Sequence, residues 1–232
     1  MILCIETATT VCSVALCCSD RVISQRESKN SNSHAEMLAV FINEIFKERN
    51  INAQELEAIA VSKGPGSYTG LRIGVSTAKG IAYAADIPLI GIDTLTSMYY
   101  GLLETEIGRK YIDRETLFCP MLDARRMEVY YCIYDSYGKK VKEITIETIN
   151  ENSFTDISSN FMMIFFGNGV NKCSGVIKRD KQIFIKNFEL SASYMRTPAY
   201  KALKEAKFEN TAYFEPFYLK DFLATRPKKK LF

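Results

Sequence analysis

The chain has 232 residues, of which 47% are hydrophobic and 25% are charged. This length and composition fit one large globular domain or two small ones, and they exclude a disordered or fibrous chain. No apolar run approaches the roughly 20 residues that a membrane-spanning helix needs, and the first residues lack the basic start and cleavage site of a signal peptide. We therefore expect a cytoplasmic protein that makes no membrane contact.

The charge and the cysteines exclude further classes of protein. A formal net charge of +3 is too small to indicate nucleic-acid binding by itself. The one basic cluster, Arg226 with residues 228–230, is expected to be a solvated tail, and the alternative is a contact with RNA or an acidic partner. The seven cysteines form no Cys-x-x-Cys pair and His34 is the only histidine, so neither a zinc site nor a His-based hydrolase has support. We expect reduced thiols that pack as small core residues.

The first hundred residues predict a three-stranded meander followed by alternating helices and strands. Three short apolar runs precede an amphipathic helix at about residues 34–49, for which Ser33 is the predicted N-cap. A buried strand at about 58–62 leads into a second helix at about 69–85, and a further strand ends before Thr94. This order describes half of a ribonuclease-H-like or actin-like ATPase fold, although the alternation alone also suits other α/β sheets.

A polar stretch at residues 103–115 predicts a boundary, after which four more strands follow with Gly138 at a hairpin. Helices are predicted there only at about 169–178 and 191–208. We therefore divide the chain into a first lobe at residues 1–103 and a smaller second lobe at residues 104–232, with a C-terminal segment that can pack back on the first lobe.

The turn between the first two strands is the first candidate site. A carboxylate suits magnesium, and hydroxyl and backbone donors suit phosphate oxygens. Ala8 stands where phosphate turns in actin-like ATPases usually carry glycine, and a plain hairpin would need no ligand. The candidate nucleotide or phosphate residues are Glu6, Thr7, Thr9 and Thr10.

The stretch KGPGSYTGLRIGVSTAKG, which starts at Lys63, is the second candidate. It does not have the spacing of a phosphate-binding P-loop, because Gly70 is followed by Leu71 and Arg72 rather than by lysine and a hydroxyl residue. Small residues recur every four positions and would let another backbone approach one side of the helix: Gly70, Gly74, Ala78 and Ala82.

The other side of this helix carries a mixed basic and aromatic stripe. Interfaces favour arginine and tyrosine, although an ordinary solvated face would look similar. The candidate partner-binding residues are Arg72, Val75, Ser76, Lys79 and Tyr83 on this helix and His34, Glu36 and Val40 on the preceding one.

A third cluster lies between two predicted strands in LDARRMEVY and consists of Asp123, Arg125, Arg126 and Glu128. Ionisable groups clustered at a turn can coordinate a ligand or can neutralise one another at the surface. The cluster alone does not distinguish these two readings.

Taken together, the segments ILCIETATTVCSVAL, SHAEML, KGPGSYTGLRIGVSTAKG, IPLIGIDTL, LDARRMEVYY, FFGNG and EPFYL resemble the TsaB family, also called YeaZ. The resemblance spans nearly the whole chain in order, and GPGSYTGLR is its most specific element. It implies an actin-like ATPase fold of two lobes with a reduced second lobe, and a role in threonylcarbamoyladenosine modification of the tRNA adenosine beside the anticodon.

The resemblance also implies partners. Members of the family pair with the catalytic paralogue TsaD through the two helices of the first lobe, and isolated members often self-associate as homodimers through the same surface. The ATPase TsaE joins the assembly, and tRNA is reached through the complex. No cofactor is firmly expected. Binding of ATP or ADP with magnesium is expected to be weak at most, or to occur at the partner interface.

One departure from the paralogue bears on catalysis. The paralogue places a His-x-x-x-His metal pair where this chain has Thr94 and Met98, and neither side chain suits a hard metal ion. The leading hypothesis is therefore a non-catalytic subunit that binds and activates TsaD. The rival is a stand-alone magnesium-dependent nucleotide-hydrolysing or kinase-like enzyme that uses Glu6 and Asp123, and a glycoprotease ranks last.

Overall fold

The computed structural model describes residues 1–29, 34–112 and 115–220. These residues form two five-stranded sheets with the same strand topology. In each sheet three antiparallel strands are followed by two strands that run parallel to the first. The predicted α/β fold of two lobes is confirmed.

The first sheet has the order β3-β2-β1-β4-β5. Its lobe contains, in chain order, β1 (Ile2–Glu6), β2 (Cys12–Cys17), β3 (Val22–Ser28), α1 (His34–Arg49), β4 (Ala58–Gly64), α2 (Tyr68–Ala85) and β5 (Leu89–Asp93). All residues of β1 are buried, as expected for a central strand that is covered on both faces. The predicted order of elements in this lobe is therefore correct, while the predicted N-cap Ser33 lies outside the described residues.

The second sheet has the order β10-β9-β6-β7-β8. Its elements are α3 (Thr94–Leu103), α4 (Glu106–Tyr111), β6 (Thr116–Asp123), β7 (Glu128–Asp135), β8 (Lys140–Thr148), β9 (Met162–Phe166), α5 (Val170–Cys173), β10 (Gln182–Ile185) and α6 (Arg196–Lys204). The four predicted strands and the Gly138 hairpin are present, and β10 is an additional strand.

The faces of the first sheet are covered by different parts of the chain. Leu3 and Ile5 of β1 pack under α1 and α2, whereas Ile2 and Cys4 point to the opposite face. That face is covered by α6 and by the short 3-10 turn before it. The C-terminal part of the chain therefore completes the core of the first lobe.

Three predictions for the second half differ from the structure. The polar stretch after residue 103 contains α4, which begins because the Thr105 hydroxyl accepts a hydrogen bond from the amide of Gly108 at 3.1 Å. The helix predicted at 169–178 is reduced to the four residues of α5. The helix predicted at 191–208 is split into a 3-10 turn and α6, and the chain leaves the helix at Ala206, whose φ is 52°.

Two other expectations concern the side chains and the membrane. Six of the seven cysteines are buried free thiols and Cys18 is half-buried. Within the described ranges, no helix is long and apolar enough to cross a membrane. The basic cluster at Arg226 and residues 228–230 lies outside the described residues.

Candidate functional site

The glycine-rich turn after β4 packs directly on the turn between β1 and β2. The amide of Ser67 donates to the carbonyl of Ala8 at 2.6 Å. A Cβ added at Gly66 would overlap that carbonyl, and one added at Gly70 would overlap the carbonyl of Thr7. These two glycines are therefore required by the close approach of two turns.

The structure changes the roles of the other glycines in this stretch. Within this stretch, the glycine with positive φ is Gly64, at 115°. Gly74 extends the contact between α2 and the turn after β1, because an added Cβ would overlap the hydroxyl of Thr7. Gly80 has open space around an added Cβ, so no packing contact requires glycine there.

The N-terminus of α2 is occupied by groups of the chain itself. The Ser67 hydroxyl caps the helix by accepting a hydrogen bond from the amide of Gly70 at 3.2 Å. The amide of Ser67 is used by Ala8, as described above. The junction is therefore a packed joint between two turns, in which the amides of Ser67 and Gly70 are engaged within the chain.

Glu6 lies beneath this joint with no exposed surface. Its Oε1 accepts a hydrogen bond from the amide of Ala8 at 2.6 Å, while its Oε2 and the Thr7 hydroxyl have no partner among the described residues. Burial raises the pKa of the Glu6 carboxyl to about 7, against the opposing effect of hydrogen bonds from Ala8 and Ser62. The carboxyl therefore titrates near neutrality inside the protein.

The four candidate phosphate residues do not share one accessible surface. Glu6 and Thr7 are buried, Thr9 is half-buried and Thr10 is exposed. The Thr9 hydroxyl accepts a hydrogen bond from the amide of Val11 at 3.3 Å. A phosphate at the surface of the turn would reach Thr10 and the edge of Thr9, with the carboxylate below it.

The outer face of α1 and α2 carries six of the eight candidate partner-binding residues. On α1, Glu36 is exposed and Val40 is 45% exposed. On α2, Tyr83 is 82% exposed and Lys79 is half-buried. We define the outer helical face as Glu36, Val40, Arg72, Ser76, Lys79 and Tyr83.

His34 and Val75 were predicted on this face, and the structure buries both. Val75 is 3% exposed and packs in the core with residues of β1. At about 100° per residue Val75 lies roughly 20° around the helix from Ala82, which belongs to the small buried side. The His34 ring folds back on β2, with Nε2 at 3.3 Å from the carbonyl oxygen of Val11.

Two cations of the outer helical face are engaged with the C-terminal segment. The Arg72 Nε donates to the Tyr218 hydroxyl at 3.3 Å. The Lys79 Nζ donates to the carbonyls of Ala212 at 3.3 Å and Phe214 at 2.9 Å. Sequence reasoning missed these contacts, because the segment has no periodic pattern and its contacts to α2 are more than 130 residues distant in sequence.

The cluster between β6 and β7 is an ion-paired turn. Lys172 contacts the Asp123 carboxylate and donates to the carbonyls of Arg126 and Glu128, both at 2.7 Å. The Arg125 and Arg126 side chains are exposed on left-handed backbone with φ of 69° and 48°. The carboxylates of this cluster are therefore paired with lysines from outside it, Asp123 with Lys172 and Glu128 with Lys220.

The two positions at which the resemblance leads us to expect the paralogue's metal pair lie in the core. Thr94 and Met98 both have no exposed surface, and the Met98 methyl packs where a side chain at Gly167 would lie. Across the described ranges, no group of three or more His, Cys, Asp and Glu residues is arranged to hold a metal ion.

The two sheets have the same strand order, and the turn after β1 is tightly packed. These features place the chain in the actin-like ATPase class of folds. A solved structure of YeaZ from Pseudomonas aeruginosa shares this fold with a TM-score of 0.80 at 20% identity, over 94% of this chain and 99% of that one.

Sequence comparisons identify the family. The model of the family described as TsaD, tRNA N6-adenosine threonylcarbamoyltransferase, matches residues 21–226. The tRNA threonylcarbamoyladenosine biosynthesis protein TsaB of Escherichia coli K12 is 28% identical over 96% of each chain. The protein of the same name from Bacillus subtilis 168 is 33% identical over 57% of this chain and 54% of its own. The chain belongs to the TsaD family and is similar within it to the TsaB proteins, which confirms the resemblance seen in the motifs.

Proposed function

We propose that this chain is an accessory subunit in the threonylcarbamoyladenosine modification of tRNA, which binds and activates a catalytic TsaD-type subunit. The observation that carries the proposal is the similarity to the TsaB biosynthesis protein over 96% of both chains. The buried Thr94 and Met98, at the positions of the paralogue's metal pair, support a non-catalytic role. An interface is then the main functional feature to seek.

The outer helical face is the proposed pairing surface. It presents an exposed tyrosine ring and an exposed arginine, which protein interfaces favour, together with an aliphatic side chain. Tyr83 is its largest exposed side chain and the natural anchor for a partner pocket.

Binding to the purified cognate TsaD-type subunit tests this proposal. Tyr83→Ser should weaken the complex at least about tenfold, because interface energy concentrates in a few aromatic and arginine anchors. Tyr137→Ser is the matched control, since Tyr137 is 83% exposed at the hairpin between β7 and β8 of the other lobe. Equal affinities for the two folded variants would contradict the assignment, and full tRNA modification without this chain would contradict the activating role.

The proposal extends to the other members of the assembly. A TsaE-type ATPase joins the pair, tRNA is reached through the complex, and the free chain self-associates through the outer helical face in the cytoplasm. ATP or ADP with magnesium binds at most weakly or at the partner interface. Co-purification of the tagged chain from its own cells, followed by identification of bound proteins, nucleotide and tRNA, tests these points together.

The rival hypothesis of a stand-alone nucleotide-hydrolysing or kinase-like enzyme gains no structural support. It requires Glu6 and Asp123 to hold magnesium, yet Glu6 lies under the packed joint and Asp123 is paired with Lys172. ATP turnover by the chain alone, abolished in Glu6→Ala, would restore this hypothesis.

A further inference from the structure

The C-terminal strap, residues 209–220, is anchored to the first lobe by its first half. The amide of Glu209 donates to the carbonyl of Leu89 at 2.8 Å and forms an antiparallel bridge to β5. The Phe214 ring is 8% exposed and joins the core under α1 and α2, against Gly91. Residues 209–214 are therefore part of the folded lobe.

The second half of the strap crosses to the other lobe, and we call residues 215–220 the clasp. The amide of Phe217 donates to the carbonyl of Lys63 at 2.6 Å, at the end of β4. The ring of Tyr218 lies 4.9 Å from that of Tyr68 on α2. Lys220 then donates to the carbonyl of Ala124 at 3.2 Å, and it is paired with Glu128 next to the turn between β6 and β7.

The strap forms one wall of a cavity of about 730 Å³ between the two lobes. Lys63 and Asp93 line it from the first lobe, and Lys140 and Glu143 line it from β8 of the second. The cavity lies beyond the carboxyl ends of β4 and β5, which is the edge where open α/β sheets receive ligands. The clasp therefore forms part of the wall of the cleft between the lobes.

Besides the backbone bond of Phe217 and the ring contact of Tyr218, the clasp makes two polar side-chain contacts that a partner could replace. Its bond to Arg72 is a 3.3 Å contact with a neutral hydroxyl, and its bond to Glu128 is an exposed ion pair. An arginine forms shorter and stronger bonds with a carboxylate, often in pairs. A partner that brings carboxylates to the outer helical face would thus compete with Tyr218 for Arg72.

We propose that the clasp is a latch between the lobes, closed in the free chain and released when a partner with acidic side chains takes Arg72 on the outer helical face. The release step rests on the pairing function proposed above, whereas the closed latch does not. Arg72 then has two uses, holding Tyr218 in the free chain and a partner carboxylate in the complex.

Hydrogen exchange in the full free chain tests the closed latch. In Arg72→Ala, the amide of Phe217 should exchange about tenfold faster than in the unsubstituted chain, because opening of the clasp becomes easier. Tyr218→Phe should change the rate in the same direction, since it removes only the hydroxyl. Unchanged exchange in β1 shows that the fold is intact, and Arg109→Ala on α4 is the matched control. Equal Phe217 rates in the Arg72→Ala and unsubstituted chains would overturn the latch.

Exchange after addition of the cognate TsaD-type subunit tests the release. The amides of α2 should become protected while those of residues 217–220 exchange about tenfold faster. Protection of both segments would overturn release and make the clasp part of the interface. If no complex forms, the pairing function and the release both fail, while the Arg72→Ala result still decides whether the latch exists.

Discussion

Replacing Glu6 by glutamine should stabilise the chain at pH 8 and leave its stability almost unchanged near pH 4.5. Glutamine keeps the oxygen that accepts the hydrogen bond from Ala8, and like the protonated acid it places a neutral group at the position of the unpartnered Oε2. The variant therefore imitates the protonated form of Glu6 at every pH.

The magnitude follows from the difference between the folded and unfolded pKa values of Glu6. Burial raises the folded pKa from the ordinary 4.5 to about 7. Because the folded state holds the proton more tightly, the stability that Glu6 contributes is fully present below pH 4.5 and is lost as the pH rises to about 7. At roughly 1.4 kcal/mol for each pH unit in that window, the loss is about 3 kcal/mol.

Urea unfolding of both chains at four values between pH 5 and pH 8 measures this difference. The free energy of unfolding of Glu6→Gln, minus that of the unsubstituted chain, should grow with pH to about 3 kcal/mol and then level off above pH 7. Glu36→Gln on the exposed surface of α1 is the control and should give no such trend. A difference that stays constant from pH 5 to pH 8 would refute a buried carboxyl that titrates near neutrality.

Four further substitutions have definite expected effects in chemical unfolding. Gly70→Ala should cost about 1–3 kcal/mol because its methyl group meets a carbonyl, whereas Gly80→Ala, in open space, should gain about 0.5–1 kcal/mol; equal effects would contradict the packed joint. Lys172→Met should cost about 1–2 kcal/mol through its lost contacts, and an unchanged midpoint would show that they contribute nothing. Val75→Glu should destabilise the fold by about 3 kcal/mol or more, and a stable variant would return Val75 to the surface.

The sequence predicted the fold where hydrophobic periodicity and turn residues agree. The first lobe is such a case, because its strands are apolar runs and its helices have a regular buried side. The spacing of Gly70 and Gly74 also predicted a close approach to α2, although it could not show that the approaching group is the turn at Thr7. That information depends on which turns the sheet brings together.

The candidate site was less predictable because exposure depends on small rotations and on distant parts of the chain. Val75 is rotated from its exposed neighbours by only a fraction of a helical turn. A helical wheel shows this angle, but it does not show at which angle side chains become buried. The contacts of Arg72 with Tyr218 join residues 146 apart in sequence, and no local pattern indicates them. In the second lobe, α4 was missed because its start depends on a cap rather than on apolar periodicity.

A glycine with positive φ follows or ends the equivalent strand in each of the two lobes. Gly64 ends β4 with φ of 115°, and Gly167 follows β9, the equivalent strand of the second sheet, with φ of 106°. Each turn leads into a helix, but α2 has 18 residues and α5 has only four. Two long helices at equivalent positions would give one molecule two similar docking sides, which favours open filaments. Among the described residues, the shortened α5 therefore offers no second helical side equivalent to that of α2.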